Sequence, residues 1–572
     1  VDYTNYEEGI YVGYRYYEAA GIKPQFPFGC GLGYTDFSVM GRSFAVEDNT
    51  IRVYALVENI GRFPGRETVM LYYSAPDGRL IKPLRELGAY QKTKELLPGE
   101  QTELELTLPI ENMASWDAAS DCWLMEKGEY RISIGDTVVG TVELDGDAVT
   151  ELLSHSGGEA DFSDWEPQHR RAAVGDVPHM RVSASALAGL GHYDRDRIAP
   201  EKPEVIDLSG FTDEELAVVC VGKHSRTQSM AAIIGNSATR LAGGAGCTAD
   251  IVDEKGHGAL VMADGPAGLR LSTKYIETDA GQDGIDTEAF DSILNILPEE
   301  IRHMISAKLL QNREKAKTST VLYHYASAIP IGTALAQSWN DAVCERCGDI
   351  VGKEMELFGA NMWLAPALNI QRNPLCGRNF EYYSEDPLIS GRIAAAVTRG
   401  VQKHTKCAAT IKHFACNNQE TNRYGSNSIV SQRALREIYL KGFEICVKEA
   451  APLSLMTSYN LLNGIHTANR RDLLTQILRE EWGFDGVVMT DWFGGKDAAA
   501  QMHAGNDMLQ PGRQAQYNDI VEAVQNGSLD IALVDRNVKR ILNLVVKSPT
   551  FNGYKYSNKP DLEAHAAVTR QS

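Results

Sequence analysis

Between Val205 and Val546 short apolar runs take turns with long amphipathic stretches, a strand-then-helix spelling repeated along more than half of the chain. The runs are Gly258–Ala263, Met362–Pro366, Ala408–Ile411, Leu453–Thr457 and Gly486–Thr490, with helical periodicity at 340–358, 387–403, 432–450, 471–482 and 531–546. Strands covered on both faces read as continuous apolar runs, and parallel neighbours need a crossover helix between them. This pattern predicts a parallel α/β architecture, and at this length a TIM-like (β/α)8-type barrel over 205–548 rather than a doubly wound sheet. The stretch 274–325 interrupts the pattern with charged, helix-like residues and reads as an insertion.

Upstream the spelling changes. From 37 to 145 the chain has period-two runs, Thr50–Val57, Glu67–Tyr73, Gln101–Leu108 and Gly128–Ile134, separated by turn residues such as Pro98-Gly99. That is the signature of a small antiparallel β-sandwich. From 146 to 204 the periodicity fades into Gly, Ser, His, Asp and Pro, which predicts a linker.

Composition bounds the function. At roughly 100–200 residues per domain, 572 residues predict about three to five domains. There are 56 Lys+Arg against 76 Asp+Glu, a net charge of −20. Nucleic-acid binding needs a basic face, so a neutral or cationic ligand is expected instead. No apolar run approaches the roughly 18–20 residues of a membrane-spanning helix. Residues 1–8 lack the basic and apolar regions of a signal peptide, and ten dispersed cysteines suit reduced thiols, which together point to the cytoplasm. The one tight pair, Cys344 and Cys347, has no second Cys or His pair at metal-binding spacing, so it reads as helix packing. Nothing calls for a metal or organic cofactor, and the oligomeric state stays open.

In a barrel, chemistry gathers where strands end at the carboxy-terminal face. The residues just after the apolar runs are Asp264, Lys412-His413, Ser458-Tyr459-Asn460 and Asp491-Trp492, with Arg372 and Arg378 shortly after the run ending at Pro366. Together they suit a polyhydroxylated neutral molecule. Asp264 can accept two hydroxyl hydrogen bonds, Lys412, His413 and Arg378 can donate, and Trp492 offers a flat apolar wall. Asp491 would face an anomeric carbon as a nucleophile. Each residue also has a structural alternative. Asp491 could cap a helix and Asp264 could close the Asp-Gly-Pro turn. Lys412 and His413 could form an ionic network, and Glu381 is spaced to pair with Arg378.

Ala263–Arg270, Asn373–Pro387, Lys412-His413-Phe414, Ser458-Tyr459-Asn460 and Val488–Trp492 resemble, in order, the motif series of glycoside hydrolase family 3, the β-glucosidase family. The resemblance implies a retaining exo-acting enzyme that releases β-linked glucose from the non-reducing end through a covalent intermediate on Asp491. It implies Asp264, Arg378, Lys412, His413 and Tyr459 as ligands of the sugar beside the cleaved bond, with Trp492 next to them. It also implies that residues 1–36 are the tail of an α/β sandwich domain, that 37–145 is fibronectin-type-III-like, and that 549–572 leads back into the α/β domain. That order is inverted relative to the commoner barrel-first arrangement.

A retaining hydrolase needs a second carboxyl group about 5 Å from the nucleophile. In the usual glucosidases of the family it is a Glu of the α/β domain, most of which is not visible in this chain. The family's aminosugar branch uses a His on the loop after Lys-His-Phe, but Ala415–Arg423 contains none. Glu420 is the best substitute within the chain, with a structural loop carboxylate as its alternative. The acid/base Glu is therefore unidentified, and the expectation is a piece of a longer enzyme or a chain completed by another. A β-xylosidase or related exo-glycosidase, and a carbohydrate-binding fragment without hydrolysis, remain as alternatives.

Overall fold

The computed structural model describes residues 2–167, 175–191, 206–223, 240–279, 281–285, 299–404, 407–547 and 559–571. The amino-terminal sheets follow directly from period-two alternation. In the strand Thr50–Asn59, Ile51, Val53, Ala55 and Val57 are buried while the residues between them are half-buried. This strand pairs antiparallel with Phe37–Glu47 on one side and Gln101–Pro109 on the other. A five-stranded sheet lies against them in the order His179–Val182, Thr137–Leu144, Gly128–Ile134, Thr68–Ser74, Glu86–Lys92. Leu71, Tyr130, Ile132 and Val142 from that sheet join Ile51, Val53 and Leu106 in one core.

Two strands fall inside the segment read as linker. Ala148–Leu152 pairs with Cys122–Met125, and His179–Val182 runs parallel to Thr137–Leu144. At 5 and 4 residues they are too short to show alternation, and pairing with a preformed edge places them instead. Residues 168–174 and 192–204 of that linker lie outside the described residues.

The second half is a parallel α/β domain. Its sheet has the order Gly246–Cys247, Val261–Ala263, Met362–Trp363, Ala408–Phe414, Ser454–Thr457, Val487–Met489. All neighbours are parallel except the first pair. Single parallel bridges carry the pairing onward from Met489 to Met508 and from Leu509 to Val221. Lys223 N then donates to Cys247 O at 3.0 Å, returning the pairing to the strand where it began.

Helices cover the outside where their apolar faces predict. Asp341–Phe358 buries Val343, Cys344, Cys347 and Val351 in one core with Ile389, Ile393 and Val397 of Pro387–Gln402. Cys344 and Cys347 are thus packing residues on a buried helix face. The stretch 274–325 contains the antiparallel strands Lys274–Thr278, Gly281–Gly284 and Val321–Tyr323 and the helix Glu299–Ala316.

The first residues of the chain are fastened to the barrel. Tyr3–Asn5 pairs in parallel with Asn427–Ile429, and the fully buried Tyr6 donates to Cys416 O at 3.1 Å. Arg15 bridges both halves, 3.3 Å from Glu86 of the sandwich and 3.0 Å from Asp386 of the barrel. Among the described residues no helix is long and apolar enough to cross a membrane.

Candidate active site

Asp491 sits one residue beyond the end of Val487–Met489 and Thr490, on a strand held from behind by a buried carboxylate. Asp507, fully buried, accepts from Val488 N at 2.8 Å and from Arg479 at 2.7 Å, and Arg540 reaches its other oxygen at 3.0 Å. This clamp fixes the strand that presents Asp491 to the barrel rim.

The Asp491 carboxylate is 7% exposed. Its Oδ1 accepts from the Tyr459 hydroxyl at 2.7 Å and from Trp492 N at 2.7 Å. Its Oδ2 faces His413 Nε2 at 3.6 Å, beyond hydrogen-bond reach. Burial raises its pKa above the ordinary carboxylate value, against the pull of Arg378, Lys412, Tyr459 and the Trp492 N–H, which favour the ionised form. The helix that follows, Ala498–Ala504, is capped by Asp497, whose side chain accepts from Ala500 N at 2.9 Å. Asp491 is therefore free of the helix-capping role that its position after a strand allows.

Asp264 follows Val261–Ala263 and meets two cations. Lys412 Nζ lies 3.2 Å from Oδ1 and Arg270 Nη2 2.6 Å from Oδ2. Burial would push this carboxyl up, yet Lys412 and Arg270 outweigh it and hold the group at about 2. Asp264 and Lys412 thus form an ionic pair, the alternative expected for Lys412.

His413 is 1% exposed, and its backbone N and Nδ1 both face Asn369 Oδ1, at 2.8 and 3.3 Å. Burial, reinforced by Arg378, Lys412 and Arg423, drives its pKa well down, so the ring is neutral. Arg378 Nε donates to Glu381 Oε1 at 2.6 Å, the spacing-based pairing expected for Glu381. Its charge still reaches Asp491. Arg372 turns away from the rim, with Nη2 donating to Glu8 at 2.8 Å and its guanidinium 4.0 Å above the Tyr6 ring. Trp492 is half-buried, and a side chain on Gly246 would come within 3.0 Å of its ring, so glycine there leaves room for the indole.

Three further residues belong to this cluster and were not singled out by sequence. Arg270 closes on Asp264. Arg423 lies 4.7 Å above the Tyr459 ring and is stabilised in its charged form by Tyr459, Glu420 and Asp491 after burial is overcome. Tyr424, half-exposed, packs on Tyr459 at 4.3 Å between centroids. Arg270 and Arg423 stood at the ends of quoted motifs, but nothing in their spacing marked them. Glu420 is held by Asn417 at 3.1 Å and Arg423 at 2.7 Å. Among the described residues no group of three or more His, Cys, Asp or Glu side chains is arranged to hold a metal ion.

The rim therefore gathers one buried carboxylate with a free oxygen, a second carboxylate between cations, several further cations and two aromatic faces. The chain is similar to known proteins in both halves. The Glycosyl hydrolase family 3 N terminal domain matches residues 287–544, and the Fibronectin type III-like domain matches residues 67–138. Beta-glucosidase A of Butyrivibrio fibrisolvens is 35% identical over 563 residues, 89% of this chain and 61% of its own length. Residues 287–544 thus resemble glycoside hydrolase family 3, and most of the chain resembles a beta-glucosidase.

The solved beta-glucosidase from Paenibacillus barengoltzii superposes with a TM-score of 0.74 at 32% identity, over 98% of this chain and 60% of that one. Beta-glucosidase 3B from Thermotoga neapolitana, solved in complex with alpha-D-glucose, is 41% identical with a TM-score of 0.53 over 64% of this chain and 45% of that one. The chain thus spans about three-fifths of the length of the relatives that it matches over most of its own length. In this chain the fibronectin-like match precedes the hydrolase match.

Proposed function

We propose that this chain carries the nucleophile side of a retaining, exo-acting β-glucosidase site, on a (β/α)8-type barrel whose first strand pair is antiparallel. The observation that carries the reading is the asymmetry of Asp491. Tyr459 and the Trp492 N–H hold Oδ1, leaving Oδ2 as the oxygen able to attack. In this reading Oδ2 forms a bond to the anomeric carbon as the bond to the leaving oxygen breaks, through an oxocarbenium-like state. Water then attacks the same carbon, the ester to Asp491 breaks, and the sugar departs. Asp264, Lys412, His413 and Arg378 hold the sugar hydroxyls, and Trp492 lies along the ring. Glucose as the sugar is supported by the names of the relatives, beta-glucosidases, and by the glucose bound in the Thermotoga structure. The substitution Asp491→Asn tests it. Turnover of an aryl β-glucoside should fall by at least about 1000-fold, the scale expected for loss of a covalent nucleophile; unchanged turnover would sink the reading.

A second reading, sugar binding without hydrolysis of ordinary glycosides, is favoured by one observation. Among the described residues, the other rim carboxyls, Asp264, Glu381 and Glu420, are each paired with a cation and none is an obvious proton donor. We propose that the acid is not supplied by these groups. A β-xylosidase remains the alternative within the same chemistry, distinguished by comparing aryl β-xyloside with aryl β-glucoside turnover.

A further inference from the structure

The β-sandwich meets the barrel along a seam that encloses a cavity of about 260 Å³. Its titratable and charged lining comes from three sides. The sandwich supplies Tyr73, Glu86, Glu111 and Glu151, the barrel Glu437, Lys441, Glu444, Lys448 and Glu449, and the amino-terminal segment Arg15. Carboxyls outnumber cations six to three, and none of these residues belongs to the rim site.

The three cations are engaged with other carboxylates. Arg15 lies 3.3 Å from Glu86 and 3.0 Å from Asp386, and Lys441 and Lys448 both donate to Glu444, at 3.1 and 2.6 Å. Glu437 accepts from Arg433 at 2.9 Å and, across the seam, from Trp116 N at 2.7 Å. Glu151 is left over. It is 8% exposed, and among the described residues its carboxyl has neither a hydrogen-bond donor nor an ion-pair partner.

The strand itself turns this side chain inward. Ala148–Leu152 pairs with Cys122–Met125, and the register slips between Val149 and Glu151. Such a slip re-aims side chains, and Thr150 and Glu151, neighbours that a regular strand would point to opposite faces, are both buried. A carboxylate buried without a partner neutralises rather than stay charged. Burial raises the pKa of Glu151 to about 7, with Glu444 and Glu481 pushing the same way and Lys448 and Lys441 opposing. Burial also raises Glu111 and Glu449 above the ordinary carboxylate value, so the neighbours offer no compensation.

We propose that Glu151 is a proton-operated latch on the seam between sandwich and barrel: protonated, it lies in the closed seam, and once its proton passes to water the charge favours parting of the strand Ala148–Leu152 from the helix Lys441–Ala450. The direction follows from linkage. In the opened seam the carboxyl is hydrated and titrates near the ordinary value of about 4.3. Closure is therefore fully favoured below that value and weakens as pH rises through about 7. The inference stands independently of the reading of Asp491.

The test is hydrogen exchange on the intact chain, wild-type and Glu151→Gln, from about pH 5 to about pH 8. Glutamine keeps the shape of the protonated carboxyl and is uncharged throughout. Opening constants for 148–152 and 441–450, corrected for the chemical exchange rate at each pH, should rise at least about tenfold in the wild-type chain and stay level in Glu151→Gln. The helix Ile531–Val546, whose buried side chains belong to a separate core, is the internal reference and should not respond in either protein. No rise in the wild-type chain, an equal rise in Glu151→Gln, or a rise of the same size across 531–546 would each overturn the proposal.

Discussion

The Tyr459 hydroxyl donates to Oδ1 of Asp491 at 2.7 Å, and through that bond a residue from one strand end chooses which oxygen of the next strand's carboxylate is left open. The bond favours the charged carboxylate, while burial opposes it and prevails. With Asp491 as the proposed nucleophile, protonation would remove it, so activity should fall as pH drops through an Asp491 pKa raised by burial. Tyr459→Phe removes one stabiliser of the ionised form. It should move the acid limb of kcat/KM to higher pH and lower the plateau roughly 10- to 100-fold, from about 1.5–3 kcal/mol for a hydrogen bond to a charged acceptor. An unshifted acid limb in a pH–rate profile would count against this role for Tyr459.

Asp264 behaves in the opposite sense. Its folded pKa, about 2, lies below its unfolded value, so the stability it contributes is complete above about pH 4 and is lost as pH falls towards about 2. In Asp264→Asn this loss is absent. Urea unfolding in steps from pH 5 to about pH 2 should show the wild-type chain losing more stability than the variant. Parallel loss in both would show that Lys412 and Arg270 do not grip Asp264 as described.

If the paired carboxyls of the rim do not donate the leaving-group proton, substrates should sort by leaving group. A dinitrophenyl β-glucoside, whose aryloxide needs no proton, should turn over faster than methyl β-glucoside by several orders of magnitude in this chain. Glu420→Gln should leave that ratio unchanged. A selective collapse of methyl glucoside turnover in Glu420→Gln would instead make Glu420 the acid.

Asp507 anchors the strand that leads to Asp491 through two arginines and one backbone amide. Burial already draws Arg479 down to about 10, so it depends on the Asp507 charge beside it. Asp507→Ala would leave Arg479 buried without a counter-charge and should destabilise the fold by about 3–5 kcal/mol. The measurement is the urea midpoint at constant m-value. A shift of less than about 1 kcal/mol would mean the strand is held by other contacts.

Sequence revealed the rim well because two patterns coincided there: an apolar run long enough to read as a strand, followed directly by polar residues. Asp264, Lys412, His413, Tyr459 and Asp491 all stand in that position, and they converge. Arg423 and Tyr424 do not. They ride on a loop whose path depends on packing against Tyr459, a contact that residue spacing cannot encode. The linker strands were hidden for a related reason, since a four-residue edge strand takes its place from its neighbour. Likewise Asp491 reads as a possible helix cap on paper, and only the backbone path shows that Asp497 takes that place, meeting Ala500 N.

Tyr6 reaches its hydrogen-bond partner Cys416 across 410 residues of chain. During translation at roughly 5–20 residues per second, about 20–80 s separate the appearance of the two. The β-sandwich, complete long before, can fold in that interval, whereas the aromatic side chain that seals the barrel must wait beside it. Tyr6 is thus made long before the residue that it bonds, and it stays unsheltered while the residues between are synthesised.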